Sequence, residues 1–483
     1  MHGYRCGLAG HRIFFSSQRI LSWALLLPLA VPTYIVAFAY LDILHPIGPF
    51  QSVIRDLLGY SSPREFRLPD IRGLPGAIFL LGFVLYPYVY LSTRVMFATQ
   101  AASLLEAGRI LGLTGRGVFL KVALPLARPA IAVGVSLALL ETLNDIGASE
   151  FLGVQTLTVS VYTTWVTRSD LAGAAQIALA MLAIVVVLIL LERHGRKRQR
   201  YANTQRMRPV QPKPLTGSAA LLAVLLGWAP IVIGFIVPAL YLLNQTLKHL
   251  HLAGGVSAQL VQSAINTIGI AVFATIVVVV CGVILTWAAR SARSKSPYAL
   301  SKLCARVSTV GYALPGTVLA IGILTPINQV DDFLSWVAGL FGAASPSLWL
   351  MGSAAALVCA YAIRFMAISV GGLESGLARI PPSLEQASRL LGETATGTLR
   401  RVHLPLLRPA IGAAALLVFV DTMKELPATL LLRPVNFETL ATWLYAEAAR
   451  GTYEEGAVAA LTIVVVGLLP VILLARNQLK SGH

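Results

Sequence analysis

The sequence predicts an all-α fold, a polytopic transmembrane helical bundle of about ten spans made of two duplicated halves. Three observations carry this. Apolar residues make up 56% of the chain and charged residues 12%, with mean hydropathy +0.74, whereas soluble domains carry about 25% charged residues. Apolar runs long enough to cross ~30 Å of hydrocarbon as helices recur throughout. And one polar, basic stretch occurs twice. Residues 106–131 read EAGRILGLTGRGVFLKVALPLARPAI and residues 386–411 read QASRLLGETATGTLRRVHLPLLRPAI, a constant offset of 280 with roughly half the positions identical.

The net charge of +17 is large enough to raise nucleic-acid binding, but the placement of the basic residues excludes it. They sit in short segments between apolar runs, as with Arg193, Arg196, Lys197, Arg198 and Arg200, then Arg206, Arg208 and Lys213. That is the positive-inside pattern of a membrane protein, with lipid as its surroundings and no nucleic-acid partner. Cys6, Cys281, Cys304 and Cys359 form no CxxC or Cys/His metal spacing and read as inert thiols.

In chain order, residues 1–19 hold Arg5, Arg12 and Arg19 and are expected inside the cell. A first span at 21–44 contains Pro28 and Pro32 and is expected to be kinked. A polar outer loop at 45–73 includes an amphipathic run, Phe50–Leu58, suited to the membrane interface. The second span is 74–98, with Tyr86, Tyr88 and Tyr90 in its inner half. The first repeated loop follows, then spans at 129–146 and 172–191. Residues 192–215 read as a basic inner linker between halves 1–191 and 216–483.

The second half carries spans at 218–243, 263–289, 307–327, 348–370, 409–432 and 456–474. Its segment YALPGTVLAIGI matches LAVPTYIVAFAY when Pro315 is laid on Pro32. This tally places both termini and both repeated loops in the cytoplasm. Residues 218–290 have no counterpart in the first half, so that half reads as lacking two N-terminal helices, by loss or by truncation before Met1.

Within each repeated loop, a helix-forming stretch with Leu105, Ile110 and Leu111, or Leu384, Leu390 and Leu391, precedes a Gly that can end it in a tight turn. A second short helix is expected to run to Leu-Pro, where Pro starts the next element. Such a helix-turn-helix can wedge into a partner. The residues Glu106, Ala107, Gly108, Gly112, Val122, Leu124 and Pro125 resemble the EAA loop of bacterial ABC importer permeases. Gln386, Ala387, Ser388, Gly392, Val402, Leu404 and Pro405 repeat that spacing, with Gln386 at the acidic position and Glu385 beside it. The resemblance implies a type I importer fold. It also implies that an ABC ATPase homodimer docks on both loops, holding the ATP and Mg that this chain does not bind. No Gly-x-x-x-x-Gly-Lys-Ser/Thr phosphate loop occurs in the sequence, so the chain is expected to be a transport subunit and no enzyme.

Two further segments, ETLNDIGASEFLGVQTLTVSVYTTW from Glu141 and DTMKELPATLLLRPVNFETLATWLY from Asp421, resemble the ferric-iron branch of these permeases. Thiamine and polyamine permeases are similar. The resemblance implies a periplasmic ferric-binding protein as a partner, in a bacterial inner membrane. Independently, Glu141 and Asp145, and Asp421 and Glu425, are pairs one helical turn apart, equivalent under the 280 offset. Ionisable groups in spans by default face the bundle interior or a water-filled path, and hard carboxylate oxygens suit a hard cation. Lys424 beside Asp421 and Glu425 leaves open the other reading, a salt bridge inside the bundle. His403 reads as a solvated loop residue. A secondary transporter driven by intramembrane carboxylates is the rival class, and the repeated docking loop argues against it.

Overall fold

The computed structural model describes residues 20–21, 23–99, 108–199, 217–291, 300–341 and 349–480. Among these residues the regular structure is helical throughout, with no strand. Eight helices are long and apolar enough to cross a membrane. In chain order the elements are α1 Thr33–Ile43, α2 Pro49–Leu58, α3 Leu74–Thr99, α4 Gly115–Asn144 and α5 Gly147–Phe151. Then come α6 Leu157–Tyr162, α7 Leu171–Gln199, α8 Ala220–Ala253, α9 Ala258–Ser291, α10 Leu300–Ser308 and α11 Gly316–Leu340. The chain ends with α12 Ala354–Leu377, α13 Pro382–Leu390, α14 Ala395–Met423, α15 Pro427–Leu432, α16 Leu440–Arg450 and α17 Tyr453–Lys480. The membrane-crossing helices are α3, α4, α7, α8, α9, α12, α14 and α17.

Two of the about ten expected spans, 21–44 and 307–327, are not single helices. Each is broken at the same place. A 3-10 turn, Leu27–Ala30 or Gly311–Ala313, gives way to an extended residue, Val31 (ψ 116°) or Leu314 (ψ 128°). Pro32 or Pro315 follows at the N-cap of the next helix, α1 or α11. The proline ring clashes with a helical conformation at the residue before it, so the chain is driven to β geometry there. The sequence pattern suggested a kink, and the observed outcome is a complete interruption.

The chain divides into two compact units, neither a continuous run: one takes residues up to Thr156, 183–247 and 464 onward, the other 157–182 and 248–463. In the first, α3 packs along α4. Gly134 makes this possible, because a Cβ there would lie 2.6 Å from Val89 Cα. Lipid is as apolar as a leucine side chain, so close backbone approach replaces the hydrophobic drive between spans. In the second unit α9, α12 and α14 pack on one another. Gly376 of α12 faces Ala410 and Leu407 of α14, where a Cβ would come within 2.8 Å and 2.9 Å of them. Tyr361, Phe365, Leu357, Val278, Ala320 and Val418 belong to the core of this unit.

Candidate functional site

The two repeated loops have the same backbone. Gly112 and Gly392 both adopt φ +82°, the left-handed conformation that glycine takes without a Cβ penalty. Leu113 N–H donates to Gly108 C=O and Gly112 N–H to Arg109 C=O; Glu393 N–H donates to Ser388 C=O and Gly392 N–H to Arg389 C=O. Each set is a Schellman closure that satisfies the last carbonyls of the preceding helix. Two residues on, Thr114 and Thr394 cap the next helix by accepting from Gly117 and Gly397 N–H. The tip before each glycine is apolar and points outward. Ile110, Leu111, Leu390 and Leu391 are 82–89% exposed.

The expected restart at Leu-Pro does not occur. α4 and α14 run unbroken through a π turn, Phe119–Ala123 and Leu399–His403, into Leu124-Pro125 and Leu404-Pro405. Proline has no N–H for an i→i−4 bond, and the widened turn just before it absorbs that gap.

Beneath this shared backbone the side chains differ. Gly108 is buried, and in the second loop Ser388 takes its place, with its hydroxyl 2.9 Å from that of Thr398. Gln386 and Ala387 are exposed on α13, whereas Glu385 turns inward. There it pairs with Arg290, at the end of α9, and lies 3.1 Å from His403 Nε2. Arg290 also donates to the carbonyls of Leu377 and, at 2.8 Å, Ile380. One guanidinium thus holds the end of α12, the start of α13 and the end of α9 together. His403 is 3% exposed, so it is a packed part of this knot and no solvated loop residue. Of the residues expected in the first loop, Glu106 and Ala107 lie outside the described residues. Leu124, Pro125 and Leu404 are half-buried, and Pro405 is exposed.

The intramembrane carboxylates are split by helix ends. Glu141 lies in the last turn of α4, and Asp145 lies just past it in extended backbone. Asp421 is in the last turn of α14, and Glu425 follows the C-cap residue Lys424. Each pair therefore does not share one helical face. Asp145 is buried and accepts from the Thr33 hydroxyl at 2.6 Å and from Ser149 N–H and hydroxyl at 2.8 and 2.9 Å. Glu425 is buried and accepts from Ala428 and Thr429 N–H, from the Thr429 hydroxyl, and from Arg364 Nη1 at 3.0 Å. Each carboxylate sits on the N-terminus of a short helix, α5 or α15, where the unpaired N–H groups favour an anion.

The same carboxylates reach the broken helices. Thr33 is the first residue of α1. Its counterpart Gly316 opens α11, where a Cβ would lie 2.7 Å from Glu425 Oε1 and 2.5 Å from Arg364 Nη1. Lys424 pairs with Asp421 at 2.7 Å, and the ion pair of Glu425 is with Arg364. Arg364, Arg290 and Thr33 were missed from sequence. Arg364 had a signal, since it is the single charge in the apolar run 354–373, and such a charge is costly unless paired. Among the described residues no three His, Cys, Asp or Glu side chains gather as a metal-ligand group.

Comparison with known proteins bears on these features together. A family model described as "Binding-protein-dependent transport system inner membrane component" matches residues 6–201 and again residues 286–480. The second match begins 280 residues after the first, the offset of the loops. The chain is 23% identical over 482 residues to the Fe(3+)-transport system permease protein FbpB 2 of Haemophilus influenzae, covering 99% of this chain and 86% of that one. It is 28% identical over 248 residues to the putative 2-aminoethylphosphonate transport system permease protein PhnV of Salmonella typhimurium, covering 51% and 84%. It is also 22% identical over 475 residues to the probable ABC transporter permease protein y4fN of Sinorhizobium fredii, covering 93% and 79%. The chain therefore belongs to the binding-protein-dependent transport system inner membrane components, the multi-pass permease subunits of ABC importers, with the family domain present twice.

Proposed function

We propose that this permease forms the translocation path for ferric iron, delivered by a periplasmic solute-binding protein and driven by a separate ABC ATPase. The observation that carries the iron reading is the relationship to a ferric-iron permease along 99% of the chain. The phosphonate permease relative covers only 51%. The two docking tips support the coupling reading. Paired apolar side chains held out by a Schellman closure suit insertion into a groove on each subunit of an ATPase homodimer, which holds the ATP and Mg. Positive charge in the linker region supports a cytoplasmic side for these loops, with both termini on that side of a bacterial inner membrane.

Within the path, Asp145 and Glu425 act as fasteners of the broken helices α1 and α11, since their oxygens are already committed to protein donors. Glu141 and Asp421, one turn earlier, are half-buried where Asp145 and Glu425 are buried, and are the better candidates for contact with cargo or for a gate. The test is uptake of radioactive iron by proteoliposomes holding this chain and the ATPase, with the solute-binding protein added outside. Iron uptake that needs ATP and the binding protein is expected. ATP-driven uptake of 2-aminoethylphosphonate with none of iron would overturn the cargo assignment, and iron uptake without the ATPase would overturn the coupling.

A further inference from the structure

The offset that lays Pro32 on Pro315 also aligns Phe50 with Phe333, Val53 with Trp336, Leu57 with Leu340 and Leu58 with Phe341. All eight side chains are 46–83% exposed. On each helix they follow a spacing of three, four and one residues, which is a single stripe. We propose that residues 49–58 and residues 332–341 are a matched pair of membrane-interface segments, each with this stripe seated in lipid at the headgroup–acyl boundary. The proposal depends on the chain being a membrane protein and not on its cargo or its ATPase.

Buried polar groups anchor both segments, two of them within the first and one immediately before the second. Gln51 and Arg55 are 1% and 6% exposed. Gln51 donates to Leu44 C=O at 2.7 Å and accepts from Leu68 N–H at 3.0 Å, while Arg55 donates to Pro46 C=O at 2.6 Å. Just ahead of the second segment, on the same helix, the buried Asp331 accepts from the N–H groups of Trp349, Leu350 and Met351 at 3.2, 2.7 and 3.0 Å. These bonds fix the roll of each helix, so neither can rotate to hide its apolar side. In residues 49–58 the two faces are inverted relative to a helix on a water-soluble domain.

What covers the stripes follows from their chemistry. Beyond Asp332, residues 333–341 carry no ionisable side chain, and none of residues 332–341 is buried. This is the last part of a helix whose earlier exposed positions are Gly322, Thr325, Pro326, Asn328, Gln329 and Val330; all but Asn328 lie on the stripe's side, so the stripe continues the outer surface of a broken span. Trp336, with Phe333 at a ring separation of 6.0 Å, is the side chain that favours the headgroup level. A solute-binding protein leaves in every cycle, and would return a phenylalanine-tryptophan-leucine stripe to water each time. Lipid stays.

The test uses the full chain in phosphatidylethanolamine–phosphatidylglycerol vesicles, with Cys6, Cys281, Cys304 and Cys359 changed to Ser. A nitroxide is attached at Leu57→Cys, at Leu340→Cys, or at Asp56→Cys as a polar reference, and its collision rates with oxygen and with a water-soluble nickel chelate are compared. Because all three positions are exposed, the labelled chains should keep the helicity of the parent, checked by circular dichroism. The oxygen-to-nickel ratio at positions 57 and 340 is expected to exceed that at 56 by roughly threefold or more, as for a side chain 5–10 Å into the boundary. Equal ratios at all three positions would overturn the proposal. Free access of nickel at 57 and 340 that is lost on adding the solute-binding protein would assign the stripes to that partner instead.

Discussion

Removing Glu425 alone from the Arg364–Glu425 pair should destabilise the protein more than removing both partners, and more than removing Arg364 alone. Arg364 Nη1 lies 3.0 Å from Glu425 Oε1, and the two side chains are 9% and 2% exposed. At an effective dielectric near 20 that separation is worth about 5 kcal/mol of attraction, most of it offset by the desolvation of two ions. Glu425 keeps the N–H groups of Ala428 and Thr429 and the Thr429 hydroxyl when Arg364 is gone. Arg364→Leu should therefore cost about 2 kcal/mol. Glu425→Leu takes the counter-charge from a buried guanidinium and also orphans those donors, for about 4–5 kcal/mol. The double variant loses the donors' acceptor but leaves no buried charge, so it should be the more stable by about 2 kcal/mol than Glu425→Leu alone. The assay is reversible unfolding in mixed micelles by titrated dodecyl sulfate, followed by circular dichroism on all four proteins. Single-variant costs that add in the double variant, to within about 0.5 kcal/mol, would refute the idea that this pair fastens α12 to the end of α14.

Gly392→Ala meets no atom within 4 Å, so its cost is purely conformational, about 1–2 kcal/mol for a side chain at φ +82°; hydrogen exchange over 382–398 should accelerate while the spans stay protected. Arg290→Ala should leave ATPase binding intact but let ATP hydrolysis run without cargo uptake, because α13 loses its tie to α9 and α12. Arg290→Lys, which reaches one of the three acceptors, should restore coupling only in part, and full coupling in the Ala variant would refute the positioning role. Replacing Leu390 and Leu391 together with Ser should abolish co-purification of the ATPase with no loss of thermal stability, since neither side chain is buried; a matching loss of stability would mean the tip is structural.

Legibility in the sequence followed the kind of interaction. The eight crossing helices were visible as apolar runs, because a bilayer demands length and apolarity and little else. The two broken spans carried their prolines in plain view, but a proline in a membrane helix is compatible with a kink as well as a break. What decides is the packing around the break, where Asp145 accepts from the Thr33 hydroxyl and Glu425 lies against Gly316, residues far apart in the chain. The carboxylates were legible as pairs one helical turn apart, but not the helix ends at Asn144 and Met423 that divide each pair. Gly112 and Gly392 were legible because φ > 0 restricts residue choice. The burial of His403 was not, because it comes from Glu385 and Arg290 packing around it.

The two halves share a backbone design and fill it with different chemistry, and the differences fall at the positions that hold it together. Where the first half fastens its broken helix with a neutral hydroxyl, Thr33 to Asp145, the second uses Gly316 to admit the Arg364–Glu425 ion pair. Val84 stands at the first-half position equivalent to Arg364, so the first half has no cation there to pair with Asp145. Where the first loop has Gly108 and Val118, the second has a Ser388–Thr398 hydrogen bond, and Glu385 is drawn off to Arg290. A neutral hydrogen bond to a carboxylate contributes about 1.5–3 kcal/mol and survives small shifts. A buried ion pair tolerates displacement poorly, because separation exposes both charges to an apolar interior. The break held by the hydroxyl should therefore open more readily than the one beside the ion pair. Thr33→Val should then slow transport less than Arg364→Leu in the same proteoliposome assay, and the reverse order would mean that the mobile break is the one with the ion pair.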